Sequence, residues 1–283
     1  MTTAATRPWR FVEPSALPGF GPALGFTLIY LSFFLLLPLA ALALRPWEHG
    51  WPHIQDVLTN PRTVAALKLS FGAAFAAACI NVVFGTIAAW VLVRYDFPGR
   101  RLLDAFVDLP FALPTAVAGI SLAAIYAPNG LIGQLFAPLN ISIAYTPLGV
   151  MIALVFVGFP FIVRSVQPVL EDLEVEVEEA AATLGASRFR TITQVVAPTI
   201  LPALIAGFSL SFARAVGEYG SVIFIAGNIP MVSEIAPLLI VIRLEEFDYA
   251  GAAAVGFIQL LISFVLLFVL NLAQGFIARR GRA

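Results

Sequence analysis

The sequence predicts an all-α polytopic membrane protein with six transmembrane helices, and three observations predict it. Of its 283 residues, 60% are hydrophobic and only 12% are charged, against about 25% charged residues in a soluble domain. The apolar runs reach the length of about 20 residues that a helix needs to cross a bilayer. That is about twice a barrel strand of roughly ten alternating residues. Positive charge also gathers in alternate connecting loops, as it does in helical membrane proteins.

The spans follow in order. GFTLIYLSFFLLLPLAALAL (25–44) is the first, and VAALKLSFGAAFAAACINVVFGTIAAWVLV (64–93) the second. DLPFALPTAVAGISLAAIYA (108–127) and PLGVMIALVFVGFPFIV (147–163) are the third and fourth. The fifth is TILPALIAGFSLSFARAVGEYGSVIFIAG (199–227), and the sixth GAAAVGFIQLLISFVLLFVLNLAQGFIA (251–278). Arg7 and Arg10 precede the first run, and Ala41-Leu42-Ala43 resembles a signal-peptidase site. Its apolar stretch exceeds the roughly 7–15 residues of a signal core, which favours an uncleaved helix.

Eleven of the sixteen basic residues fall on one side of these spans. They are Arg7, Arg10, Arg94, Arg100, Arg101, Arg164, Arg188, Arg190, Arg279, Arg280 and Arg282. That side is therefore expected to be cytoplasmic, with both termini on it. Trp9, Trp47, Trp51 and Trp90 lie near span ends, where an aromatic belt belongs. The expected organisation is a cytoplasmic tail (1–23), a six-span domain (24–278) with a cytoplasmic loop at 169–198, and a basic tail (279–283).

Several chemistries are excluded. A P-loop requires G-x-x-x-x-G-K-[ST], but the only lysine, Lys68, follows Leu67. If transport here is ATP-driven, the ATPase is another chain. Neither G-x-S-x-G nor H-E-x-x-H occurs, so no catalytic residues are assigned. His49 and His53 are the only histidines, and Pro52 is expected to break the helix that would align them. With the single Cys79 expected to be a small core residue, no metal site or cofactor is expected. No basic tract points to nucleic acid.

The most informative segment lies between spans four and five. Pro168 is expected to close the extension of span four, and VLEDLEVEVEEAAATL (169–184) to form a helix with acidic residues toward its positive end. Gly185 suits the left-handed position after that helix. Ser187 is placed to cap a second short helix, RFRTITQVVA, which Pro198 is expected to end. Ala180, Ala181 and Ala182 leave a small-residue face that another surface could approach, with Leu184 and Phe189 as apolar anchors. A solvated acidic helix with helix-favouring alanines accounts for the same residues, and both readings stay open.

This segment resembles the EAA loop of ABC-importer permeases, E-A-A-x-x-x-G followed by nine residues and I-x-L-P. Here the match is Glu179-Ala180-Ala181, Gly185 and Val195-Val196-Ala197-Pro198, with Ala197 in place of the leucine. The resemblance implies the type I ABC-importer permease (MetI-like) fold. It also implies that Glu179, Ala180, Ala181, Leu184, Gly185 and Pro198 dock on a separate ATPase. DLPFALPTAVAG (108–119), PFIVRSVQPVLEDL (160–173), GEYGSVIFIAGNI (217–229) and RLEEFDYA (243–250) resemble the T-type permease subunit of sulfate/thiosulfate importers. W-type and molybdate permeases share the plan but match DLPFALPTAVAG and RLEEFDYA less closely. The resemblance implies a W-type permease partner, two ATP-binding subunits and a periplasmic sulfate/thiosulfate-binding protein, in the inner membrane of a bacterium. The binding protein is expected on loops 45–63, 128–146 and 228–250.

Inside the membrane, Arg214 and Glu218 in span five are spaced for one helix face. An ionisable residue there is a functional candidate by default. Either the pair fixes helix register, or it lines the pathway, with Arg214 attracting an oxyanion and Glu218 limiting how tightly it is held. Pro110 and Pro114 in span three either take part in gating or shape the bundle, and Asn81 is expected to bond between helices. The alternatives to a sulfate/thiosulfate importer are a molybdate/tungstate-type permease, an ion-coupled carrier and a membrane scaffold.

Overall fold

A computed structural model describes residues 20–280, with the side chains of 273 and 276–280 outside the description. Trp9, the arginines at 7, 10 and 282, and most of the expected tails thus lie outside the described residues, as do the side chains of Arg279 and Arg280. Every regular element among the described residues is helical. Two units are distinct, one up to Leu44 and one from Arg45 onward.

In the first unit, α1 (Phe20–Leu31) and α2 (Leu37–Leu44) are joined by a single π-helical stretch, Ser32–Leu36. None of its side chains is buried. Such an all-round apolar exposure suits a lipid-facing helix.

The second unit begins with a 3-10 turn, Arg45–His49, and α3 (Gly50–Thr59). Asn60 then caps α4 (Pro61–Arg94), its side-chain oxygen accepting from the Arg62 N–H at 2.9 Å, with Pro61 just inside the helix. Next come α5 (Arg100–Val107), α6 (Leu109–Ala112), α7 (Thr115–Tyr126) and α8 (Gly133–Phe136). The long α9 (Pro147–Asp172) leads to α10 (Val175–Thr183) and α11 (Arg188–Thr191), and a π-helical stretch joins α11 to α12 (Ala197–Val216). The chain finishes with α13 (Val222–Ile225), α14 (Ala236–Glu245) and α15 (Tyr249–Arg280).

Helices α4, α9 and α12 form the centre of this unit. Asn81 of α4, fully buried, donates to the Val155 carbonyl at 3.1 Å and to Ser211 Oγ at 3.4 Å, so it bonds between helices as expected. Gly158 makes that meeting possible: a Cβ there would lie 2.4 Å from Ser211 Oγ and 2.7 Å from Asn81 Nδ2. Small residues let helices approach closely in lipid, where packing and polar contacts replace the hydrophobic drive.

Among the described residues, five helical runs are long and apolar enough to cross a membrane, beginning at Phe20, Pro61, Pro147, Arg188 and Tyr249. The segment expected as span three is instead divided among α5, α6 and α7. Leu113 and Pro114 take extended backbone between α6 and α7. Pro110 sits in the first turn of α6 and Pro114 precedes α7, so both stand at helix starts rather than kink one. Span five ends at Val216, because the chain turns at Gly217. Glu218 therefore lies beyond the helix that was expected to contain it.

Two prolines act less strongly than expected. α9 runs through Pro168 to Asp172, held by fully buried Val166 and Leu170 on the same face. Pro198 does not end the helix either; it sits in the first turn of α12, where a missing N–H costs little. Cys79 is exposed on α4 rather than in the core. Despite Pro52, the rings of His49 and His53 lie 5.3 Å apart, because the 3-10 turn and α3 place them edge to face.

Candidate functional site: a projecting helix and its ties

Arg94, Arg100, Arg101, Arg188 and Arg190 mark one end of the second unit, here called the basic end. From it projects the α10–turn–α11 element. Leu173 and Glu174 leave the helical region, separating α9 from α10. At the far end of α10, Gly185 takes φ +84°, a conformation that glycine adopts at no steric cost. The Ala186 N–H then closes on the Ala181 carbonyl at 3.0 Å, while Gly185 donates to Ala182 at 3.0 Å, so the turn satisfies helix-end carbonyls. Ser187 caps α11, accepting from the Arg190 N–H at 3.3 Å.

No side chain of α10 is buried. Glu179 and Ala180 are exposed and Ala181 half-buried, and Pro198 is exposed. Leu184 is 89% exposed and Phe189 77% exposed. Two large apolar side chains thus flank a glycine turn, presented outward beside a helix face of small residues.

The Arg214–Glu218 pair is present: Arg214 Nη1 donates to Glu218 Oε2. Glu218 is only 2% exposed, and its other oxygen accepts from the Ser221 N–H and hydroxyl, both at 2.8 Å. The carboxylate thereby folds the 217–221 turn as well as pairing with arginine. Gly220 lies against Thr115, where a Cβ would meet Thr115 Oγ1 at 2.2 Å. This brings the start of α7, just after Pro114, to the Glu218 turn. Pro110 belongs to a different contact, where Phe111 of α6 meets Phe161 of α9 at 5.2 Å between ring centroids.

Four charged clusters were missed from the sequence. Arg164, read as a loop charge, lies within α9. It donates to Asp108 at 2.8 and 2.6 Å, to Asp104 Oδ1 and Gln167 at 2.7 Å each, and to the Asp104 carbonyl at 3.0 Å. The signal available was the spacing of Asp104 and Asp108, two acids that would repel on one face without a cation between them. At the opposite end, Arg62 grips Glu234 with two bonds of 2.8 and 2.7 Å. Glu234 is fully buried there and was detectable as an acid inside an apolar stretch.

The third cluster joins Arg243 to Asp248 at 2.6 Å, with the Gly251 N–H at 2.8 Å and His53 at 3.6 Å. Burial alone would push the Asp248 carboxyl up, but the Gly251 N–H, Arg243 and His53 together hold it below its usual value. At the basic end, Arg94 closes α4, and its Nη2 lies 2.7 Å from Glu178 Oε1 on α10. No group of three metal-ligating side chains occurs among the described residues.

Residues 81–283 match the family described as "Binding-protein-dependent transport system inner membrane component". "Sulfate transport system permease protein CysT" of Salmonella typhimurium is 52% identical over 264 residues, covering 93% of this chain and 95% of that protein. The protein of the same name from Escherichia coli is 50% identical over the same shares. The one from Synechococcus elongatus is 52% identical over 254 residues, covering 90% of this chain and 91% of that protein. Among solved structures, a bacterial ABC transporter involved in alginate import aligns with TM-score 0.75 at 14% identity, over 90% of this chain and 94% of that one. The inward-facing MetNI methionine ABC transporter aligns with TM-score 0.54 at 19% identity, over 77% and 95%. At those identities the likeness concerns the fold alone.

Proposed function

Since this chain belongs to the binding-protein-dependent inner-membrane transport components, and within them to the sulfate transport permeases, we propose that it forms half of the translocation pathway of an ATP-driven sulfate/thiosulfate importer. The observation that carries the coupling role is the unburied α10 with its Gly185 turn, flanked by Leu184 and Phe189. Small residues beside exposed apolar anchors are what a groove on another protein can grip, and the chain has no P-loop of its own. Glu179, Ala180, Ala181, Leu184, Gly185 and Pro198 belong to this docking element. The basic end then faces the cytoplasm, the 1–23 and 279–283 tails share that side, and the 24–278 region is the membrane domain.

The partners follow from the same reading. They are a W-type permease, two ATP-binding subunits on the basic end and a periplasmic binding protein on the other. ATP-driven closure of the ATPase pair would push on α10 and switch the permease pair between outward-open and inward-open states. In the pathway, Arg214 attracts the oxyanion, while Glu218, already bound to it, keeps that attraction weak enough for release. Pro114 places α7 against the Glu218 turn, and Pro110 sits in the first turn of the short helix on the other side of the break. Arg214→Gln in an assembled complex should lower sulfate uptake, as should Arg214→Lys; normal uptake by assembled Arg214→Gln removes the pathway role.

The function is tested by reconstituting the chain in liposomes with its candidate permease, ATPase and binding-protein partners. ATP-dependent sulfate uptake, competed by thiosulfate more strongly than by molybdate or tungstate, is expected. Stronger competition by molybdate overturns the substrate. Uptake that survives without the ATPase and collapses with the proton or sodium gradient overturns the importer.

A further inference from the structure

Helix α10 has no buried side chain, and a cleft of about 490 Å³ lies beside it, lined by Trp90, Tyr95, Glu178, Ala182, Arg188 and Ile192 among others. Only Glu178 and Ala181 of α10 are half-buried, and its other residues are exposed. Covalently it hangs between α9, through Leu173 and Glu174, and α11, through the Gly185 turn. α11 continues through a π-helical stretch into α12 without a break. A push on α10 therefore reaches spans four and five along the backbone.

One side chain adds a third connection. Arg94 ends α4, only 12% of its side chain is exposed, and its guanidinium lies 5.7 Å from the centre of the Trp90 ring. Its Nη2 donates to the Leu173 carbonyl at 2.9 Å, at the joint between α9 and α10, and meets Glu178 on α10 at 2.7 Å. Among the described residues this is the only ion pair or side-chain hydrogen bond that ties α10 to another element. The guanidinium also sits at the negative end of α4, where a cation is favoured. Both contacts run through the one nitrogen, Nη2, so the positive charge of Arg94 holds Glu178, and a lysine ammonium keeps that charge.

From this geometry we infer that Arg94 is a positioning residue that links the projecting helix to span two, making α4 the third helix that carries ATPase motion into the bundle. Asn81 lies thirteen residues back along α4, about 20 Å at helical rise, where it is bonded to α9 and α12. A displacement of α10 drawn through Arg94 thus arrives at the junction of all three central helices. Severing the link leaves α10 attached to spans four and five, so hydrolysis continues while α4 follows poorly.

The inference rests on the importer reading, and the complete complex in proteoliposomes separates the two. Sulfate taken up and ATP hydrolysed are measured together, and assembly is checked by co-purification of the subunits. Arg94→Gln and Glu178→Gln are each expected to assemble and hydrolyse ATP while uptake per ATP falls about tenfold, within the range of measured couplings between sites. The double variant should lose no more than either single one, because both remove the same contact. Arg94→Lys should recover part of the ratio. An assembled Arg94→Gln complex with the wild-type ratio overturns the link. So does failure of Arg94→Gln to assemble while Glu178→Gln stays fully coupled, which would leave Arg94 a purely structural residue. No ATP-dependent uptake by the wild-type complex overturns the importer reading, and this inference with it.

Discussion

Gly119→Ala should separate α7 from the turn that carries Glu218. A Cβ at residue 119 would lie 2.3 Å from the Ser221 carbonyl oxygen, 2.7 Å from its Cα and 2.8 Å from its carbonyl carbon. These are backbone atoms, so no side chain can swing aside to relieve the clash. Restoring ordinary contact near 3.4 Å requires α7 and the turn to part by about 1 Å, and overpacking of this kind costs about 1–3 kcal/mol. Ser221 supplies two of the bonds to Glu218, so the shift also loosens the carboxylate that pairs with Arg214. Gly72→Ala is the matched control, since nothing lies within 4 Å of a Cβ there and alanine favours a helix. In the purified complex, Gly119→Ala should lower the thermal midpoint by several degrees and reduce uptake, and Gly72→Ala should do neither. Equal stability and uptake for the two variants would refute the close packing of α7 on the Glu218 turn.

Two further predictions concern the end opposite the basic one. Arg62→Ala strands a fully buried Glu234 carboxylate. Breaking a buried pair costs about 3–5 kcal/mol, and the partial exposure of Arg62 puts this case at the low end; Glu234→Gln should cost less. An unchanged thermal midpoint for Arg62→Ala would remove the pair from the account. Asp248 is held below its usual value, so its contribution is complete above the unfolded value of about 3.9 and is lost as pH falls through the depressed native one. Asp248→Asn should flatten the acid side of a melting-temperature profile, and an unaltered slope would contradict the assignment.

Composition and run length were enough to read an all-α membrane fold, because lipid imposes a length on every crossing helix. The breaks were not readable. Hydropathy continues without interruption through Leu113–Pro114, and at Gly217–Gly220 the sequence shows one acid in an otherwise apolar run; the chain turns at both places, where Gly220 meets Thr115 and Gly119 meets Ser221 across the fold. Pro168 misled in the other direction, since buried Val166 and Leu170 keep α9 helical past it. In the projecting element, Gly185 and the Ser187 cap were legible because both act through local backbone geometry. Arg94 was legible only as a charge in a positive loop. Its partners, Leu173 and Glu178, lie some eighty residues away, and no local pattern pairs them. The Arg214–Glu218 contact was predicted on helical spacing and forms for another reason, as the turn after Val216 brings the carboxylate back.

The central claim is that the α10–turn–α11 element receives the work of a separate ATPase, and crosslinking tests it most directly. Single cysteines at residues 180 and 181, in a chain with Cys79 replaced, are assembled with the ATPase subunits and treated with a short thiol crosslinker. The account predicts a crosslink from both positions into a groove of the ATPase, with a yield that changes between ATP-bound and nucleotide-free states. Unhindered labelling of both cysteines by a soluble maleimide in the assembled complex, with no crosslink in either state, would contradict it.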